Sequence, residues 1–194
     1  MVDGGVAGLV LAAGAGRRMG GPKALLRLSP TGPSLVESTV SRLHDAGVTE
    51  VHVVVGHSAP SVRLRAERVG GLVAEAEDWD EGMGASLRRG IDALDATQAR
   101  AVLLMLVDLP DVGASVHTRL LTSVDGDLDR VLVRAAYDGR AGHPVLIGRS
   151  HWRLIREHAI GDHGARTYFE GHQPVLVECG DLATGRDIDR PGDI

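Results

Sequence analysis

The chain has 194 residues, the length of one domain, and its 43% hydrophobic content includes only two Trp, two Tyr and one Phe, so its core must be aliphatic. Twenty-one basic residues against twenty-six acidic ones give a formal charge of −5, which leaves no basic excess for a nucleic-acid backbone and, with so few rings, no platform for stacked bases. A single cysteine, Cys179, excludes an internal disulfide framework and a multi-cysteine zinc site, no apolar run reaches the ~18 residues that cross a bilayer, and a cytoplasmic protein is expected.

The first apolar run, Val6 to Ala13, reads as a strand buried on both faces of a parallel sheet. Asp3 precedes it and Arg17 and Arg18 follow it, the reverse of the charge order in a signal peptide. A glycine-rich loop runs from Gly14 to Gly21. Ser34 and Glu37 make a capping-box pattern at the start of a helix carrying Val36, Val40 and Leu43, with Gly47 past its end. Val51 to Val55 is the second strand, residues 60–68 a short arginine-rich helix, and Leu72 to Ala74 a third strand. Leu87, Ile91 and Leu94 mark another helix. Ala101 to Val107 is the most apolar run in the chain and stops at Asp108-Leu109-Pro110. A helix over Val112–Val124 follows, with Val116, Leu120, Leu121 and Val124 on one face. Val131–Val133 and Pro144–Ile147 flank the turn Tyr137-Asp138-Gly139-Arg140 and read as paired strands. Helices near 150–158 and 164–170, a strand over Val175–Val177 and a polar tail complete the chain. This alternation predicts one α/β domain over residues 1–194 with a mostly parallel sheet. Ligands of such sheets sit outside the carboxyl ends of the strands, here the loops after Ala13 and after Val107.

The chemistry is densest in the first of these loops. Glycines let a backbone approach a ligand and turn its N–H groups inward as an anion nest. Arg17, Arg18 and Lys23 add three positive charges, so the loop suits a triphosphate. A dinucleotide fingerprint fails because Met19 holds its third glycine position, and a P-loop fails because Pro22 separates Gly21 from Lys23.

The string Leu11-Ala12-Ala13-Gly14-Ala15-Gly16-Arg17-Arg18-Met19-Gly20-Gly21-Pro22-Lys23 resembles the L-A-A-G-x-G-x-R-M-G-x-x-K signature of the MobA-like nucleotidyltransferases, with every fixed position met. That family includes the molybdenum cofactor cytidylyl- and guanylyltransferases. Five further blocks resemble it in order: Trp79 to Leu87, Val107-Asp108-Leu109-Pro110 as its D-x-P metal motif, Gly142-His143-Pro144, Gly161 to Arg166, and Asp187-Ile188-Asp189-Arg190-Pro191 as its terminal D-x-D-x-P.

The resemblance implies a single three-layer α/β/α domain, a Rossmann-like nucleotidyltransferase fold of the GT-A type. It implies transfer of a nucleoside monophosphate from an NTP to a phosphate on an acceptor, with release of pyrophosphate. Nucleotide contacts would come from Leu11, Ala12, Ala13, Gly14, Gly16, Arg18, Lys23, Gly82, Met83 and Ser86. Arg18, Lys23 and Asp108 would be catalytic. Asp108 and Asp189, with Asp187 as the alternative, would hold Mg²⁺; His143, Pro144 and Asp162 would lie on the acceptor side. Such chemistry brings negative charges together, so offsetting cations and positioning carry most of it. Cytidylyl members tend to read L-A-A-G and guanylyl members L-A-G-G, so Ala13 leans to CTP, with the molybdopterin form of the cofactor as acceptor. The partners are then small molecules, with no nucleic acid or membrane; nothing in the sequence types a contact with a molybdoenzyme or chaperone.

Plainer readings stand beside these. Asp108 could cap the following helix, with Asp111 the other candidate cap. Asp187 and Asp189 could be a solvated tail, His143 a turn residue, Asp162 and Arg166 a local ion pair, and Gly82 to Ser86 an ordinary helix start. Trp79 could shield a base or simply pack. A guanylyltransferase, a nucleotide-sugar glycosyltransferase using Asp78-Trp79-Asp80 or Asp187-Ile188-Asp189, and a silent nucleotide-binding module are the alternatives in function.

Overall fold

Val and Leu on both faces of the first and fourth strands, and Val on both faces of the second, force those strands between two layers of helix. In the computed structural model, which describes residues 5–194, they do lie so. The first four residues of the expected domain, Asp3 among them, lie outside the described residues. The strands are β1 (Val6–Leu11), β2 (Val51–Val55), β3 (Leu72–Glu75), β4 (Ala101–Leu106), β5 (Leu132–Tyr137), β6 (Arg140–Gly148) and β7 (Val175–Glu178). They form one sheet in the order β3-β2-β1-β4-β6-β5-β7. Every neighbouring pair is parallel except those made by β6, which runs antiparallel to β4 and to β5.

Alternate residues of the central strands β1, β2, β4 and β6 feed two cores. Val10, Val53, Leu103 and Met105 pack against α1 (Leu35–Asp45), α2 (Ala59–Arg68) and α4 (Ala114–Thr122). Leu9, Val54, Val102 and Leu104 pack against α3 (Met83–Asp95), α5 (Arg149–His158) and α6 (Arg166–Gly171). Each such side chain, taken fully from water, contributes about 1.5–3 kcal/mol. The three-layer α/β/α domain expected from the sequence is therefore present. The capping pattern also holds, since Glu37 accepts from the Ser34 N–H at 2.8 Å and from its hydroxyl at 2.6 Å.

Several boundaries differ from expectation: β5 and β6 run on to the Tyr137–Arg140 turn, beyond the expected Val131–Val133 and Pro144–Ile147, and two further differences bear on the site. β1 ends at Leu11; Ala12 and Ala13 stay buried but leave the ladder, the Ala12 N–H donating to Val54 O at 2.9 Å and Ala13 O accepting from the His57 N–H at 3.0 Å. α4 is shorter than Val112–Val124, because a turn closed by Val112 N–H on Leu109 O precedes it and Gly113 is its N-cap. Val124 lies past its end.

The chain leaves β1 toward β2 and β3 on one side, then returns to place β4 on the other. A crevice opens at such a switch point, above the carboxyl ends of β1 and β4. Among the described residues no helix is long and apolar enough to cross a membrane.

Candidate active site

A cavity of about 440 Å³ fills that crevice. Leu11, Ala12, Ala13, Gly14, Gly16, Arg18 and Lys23 line it from the first strand and loop, and Arg17 does as well. Gly82, Met83 and Ser86 line it from the start of α3, Asp108 from the end of β4, and Asp162 from the turn before α6. The loop folds back on Gly16, whose φ is +60° and whose carbonyl accepts from the N–H groups of Met19 and Gly21 at 2.9 and 3.2 Å. Among the described residues, no backbone carbonyl accepts from the N–H groups of Ala13 to Arg18. That run of donors is the equipment of an anion nest. α3 is capped by Gly82, with no side-chain cap, so Ser86 stands inside the first turn and is not the cap.

Acid and base meet at the floor. Lys23 Nζ donates to Asp108 Oδ2 at 2.8 Å and to Asp189 Oδ1 at 2.5 Å, and Arg18 pairs with Asp189 Oδ2 at 2.8 Å. Burial works against the charge on Lys23, but the two carboxylates outweigh it and hold its pKa above the ordinary lysine value. The hydrogen bond from Lys23 holds the Asp189 carboxyl below the usual carboxylate range, overcoming some burial, with the Lys23 and Arg18 charges adding to it.

Asp187 completes the cluster, for ligand atoms of Asp108, Asp187 and Asp189 lie within 4.8 Å of one another. The tail is not merely solvated: its Ile188 N–H donates to Asp108 O at 2.9 Å. Asp108 is not a helix cap, since Gly113 has that place. Asp108 Oδ1 is buried without a hydrogen-bond partner. An orphaned carboxylate oxygen carries its full desolvation cost unless a cation completes it. Oxygen donors from three carboxylates, open to a phosphate-sized cavity, fit a hard divalent cation.

Asp162 reaches the cavity over Gly82, whose φ is +116° and where a Cβ would stand 2.6 Å from Asp162 Oδ1. It does not pair with Arg166, which lies 3.8 Å from Glu170 one turn on. His143 and Pro144 do not line the cavity. They lie on β6, where Val145 pairs with Leu104, so His143 stands at the same edge of the sheet as Asp108. His143 is a strand residue, not a turn residue. Its carbonyl accepts from the Tyr137 hydroxyl at 2.6 Å, and burial together with the nearby Arg134 charge pushes its ring pKa down to about 3. Of the Asp78-Trp79-Asp80 pair, Asp78 is held by Arg88 at 3.1 Å and Asp80 lines the cavity.

Some neighbours of the site, Gly56, His57 and Thr184, carried no sequence signal. Trp79, a wall of the cavity, packs on Gly56 and meets the His57 ring edge-on at 5.2 Å. Gly56 and His57 reach it only because β2 lies beside β1. Asp111, a candidate helix cap from sequence, instead accepts the N–H and the hydroxyl of Thr184, each at 2.6 Å. This clasp fixes the tail three residues before Asp187.

Residues 8–175 match the family of the MobA-like NTP transferase domain. The chain is 35% identical over 192 residues to nicotine blue oxidoreductase of Paenarthrobacter nicotinovorans, covering 95% of this chain and 92% of that protein. Among solved structures, the homologue of Mycobacterium tuberculosis Rv0371c from Mycobacterium sp. strain JC1 superposes with a TM-score of 0.82 at 27% identity, over 97% of this chain and 92% of that one. A nucleotidyl transferase from Methanothermobacter superposes with a TM-score of 0.80 at 25% identity, over 98% and 94%. Rv0371c itself has been solved in complex with manganese, and that structure matches with a TM-score of 0.68 at 25% identity, over 90% and 87%.

Proposed function

Since the chain belongs to the MobA-like NTP transferase family, we propose that it transfers CMP, in preference to GMP, from an NTP to the phosphate of the molybdopterin form of the molybdenum cofactor, releasing pyrophosphate. NTP-dependent nucleotidyl transfer is the chemistry of this fold family, and divalent-metal use agrees with a relative solved with manganese. The observation that carries the reading is the joint placement of Arg18, Lys23 and Asp108 at one cavity, with Asp187 and Asp189 clustered on Asp108 and Asp108 Oδ1 unpartnered.

In this reading the free N–H groups of the first loop hold the triphosphate, and Arg18 and Lys23 neutralise charge on the departing pyrophosphate. Lys23 is now the counter-ion of Asp108 and Asp189; on substrate binding it exchanges one carboxylate contact for a phosphate oxygen. Asp108 and Asp189, with Asp187 beside them, would hold Mg²⁺, which supplies charge stabilisation at the phosphates. The buried methyl of Ala13 narrows the slot beside Trp79 and favours a pyrimidine. Acceptor contacts fall to Asp162, His143 and Pro144.

The test is pyrophosphate release with CTP, GTP and UTP, with and without molybdopterin cofactor. CTP with the cofactor is expected to be fastest, and Asp108→Ala to slow release at least a hundredfold. Wild-type rates in Asp108→Ala would overturn the metal assignment. Release of a nucleoside diphosphate would turn the reading to glycosyl transfer.

A second reading rests on the 35% identical relative, whose name denotes a redox reaction. Against it, the first loop lacks the third glycine of a dinucleotide fingerprint, Met19 standing there. Bleaching of nicotine blue by a reduced nicotinamide dinucleotide, without any pyrophosphate release, is the outcome that would favour it.

A further inference from the structure

Arg134 is a partly buried cation without an acid beside it. It stands on β5 opposite Val145 of β6, and Val145 belongs to the core on the α5 and α6 side. Its Nε donates to Gly142 O at 2.6 Å, and its guanidinium carbon lies 5.7 Å from the centre of the Phe169 ring. No carboxylate of the described residues pairs with it, and its pKa is lowered by burial alone. Arg149, the other guanidinium over an aromatic ring, donates to the carbonyls of Asp95, Thr97 and Ala99. Arg134 uses one donor, and its remaining N–H groups have no protein acceptor among the described residues. Its two terminal nitrogens are not sealed from water, so they are open to an anion that reaches this edge of the sheet.

Its place in the sheet says which anion. Gly142 and His143 lie on β6, the strand next to β4, whose end leads into Asp108. His143 lies two residues before Val145, beyond a register shift between β5 and β6; the neighbouring Gly142 faces the Tyr137 ring on the other side of the sheet, which turns the His143 side chain to the Arg134 face. The hydrogen bond from Arg134 Nε to Gly142 O holds the guanidinium beside the residue that precedes His143. Phe169 belongs to α6, the helix directly after the turn that brings Asp162 to the cavity. Arg18 and Lys23 lie across β4 from these groups, on the β1 loop. Transfer in line at phosphorus sets the attacking oxygen opposite the leaving pyrophosphate. With pyrophosphate on the β1 side, the acceptor arrives over β6 and β5.

We propose that Arg134, with the His143 ring as a second hydrogen-bond donor, forms the subsite that receives the phosphomonoester group of the acceptor. This rests on the nucleotidyl-transfer reading above. Arg134 presents a fork to phosphate oxygens, and the neutral His143 ring adds an N–H without adding charge.

The probe is inorganic phosphate, titrated by phosphorus NMR into protein loaded with Mg²⁺ and a non-hydrolysable CTP analogue, so that the first loop is already filled. Arg134→Gln is expected to weaken phosphate binding at least tenfold and Arg134→Lys about threefold, with affinity for the CTP analogue within twofold of wild type. His143→Asn, which keeps a donor, stays within threefold of wild type, whereas His143→Ala loses more. Phosphate binding in a folded Arg134→Gln or Arg134→Lys protein equal to wild type would overturn the proposal. If no nucleotide binds at all, the transfer reading fails. The subsite is then still read by phosphate titration of nucleotide-free Arg18→Ala/Lys23→Ala protein, with and without Arg134→Gln, and equal affinities there sink it too.

Discussion

At Gly16 a methyl group would overlap the Gly21 carbonyl oxygen, and the +60° φ already disfavours any L side chain. Gly16→Ala therefore cannot keep the loop in place; the strain alone is about 1–3 kcal/mol. The expected outcome is a fall of tenfold or more in affinity for Mg²⁺–CTP by calorimetry. The melting temperature should move little, because the loop contributes few side chains to either core. An unchanged affinity would mean that the loop's shape does not matter to nucleotide binding. Single residues of this kind were readable in the sequence. A tight, close-approaching loop needs glycine by residue type, and Arg18, Lys23 and Asp108 sit beside the ends of buried strands where no partner is required to find them. Arg134 was not readable, because one arginine in a strand looks like any other until its missing counter-ion is seen.

The polar tail after β7 is tied down at Asp181 by Arg119, at Thr184 by Asp111 and at Asp189 by Lys23 and Arg18. Thr184 gives both its N–H and its hydroxyl to Asp111, while Ile188 N–H is the only other tie to the loop after β4 among the described residues. A hydrogen bond to a charged acceptor is worth about 1.5–3 kcal/mol. Asp111→Ala is expected to weaken Mn²⁺ binding, followed by titration, about tenfold or more, through looser placement of Asp187 and Asp189. Nucleotide affinity without metal should stay near wild type, and Asp111→Asn should recover part of the loss. Equal Mn²⁺ affinity would show that the tail holds itself. The elements were mostly legible in the sequence, since periodicity, the capping box and the Asp138-Gly139 turn are local signals. The ends of β1 and α4 were not: hydrogen bonds from His57 and within the Leu109–Gly113 turn decided them.

His117 ties one helix layer together and affects the whole molecule. It is fully buried between α4 and α1, with Nδ1 3.4 Å from Arg42 O and Nε2 without a partner. Burial, with the nearby Arg42 charge also disfavouring protonation, pushes its pKa down to about 4 from 6.5. The unfolded chain therefore takes up the proton first. Stability from this group is full above pH 6.5, is lost as pH falls toward 4, and changes no further below that. The loss amounts to roughly 3 kcal/mol. Urea unfolding at pH 7 and pH 4.5 should show His117→Leu losing much less stability than wild type between the two. Equal losses would assign the acid sensitivity elsewhere, His143 included.

The sequence by itself determined the layers and the chemistry of the first loop, because both depend on residue type at short spacing: apolar runs that must be covered on two faces, and glycines with cations that suit phosphate. Tertiary structure alone decided which charges share one place. It brought Asp189 to Lys23 across 166 residues, Thr184 to Asp111 across 73, and Trp79 onto Gly56. Such contacts leave no periodicity in the chain. They exist because β4 returns beside β1 and the tail crosses the end of the sheet, and only that crossing turns a scatter of acids into a cluster with an unpaired oxygen.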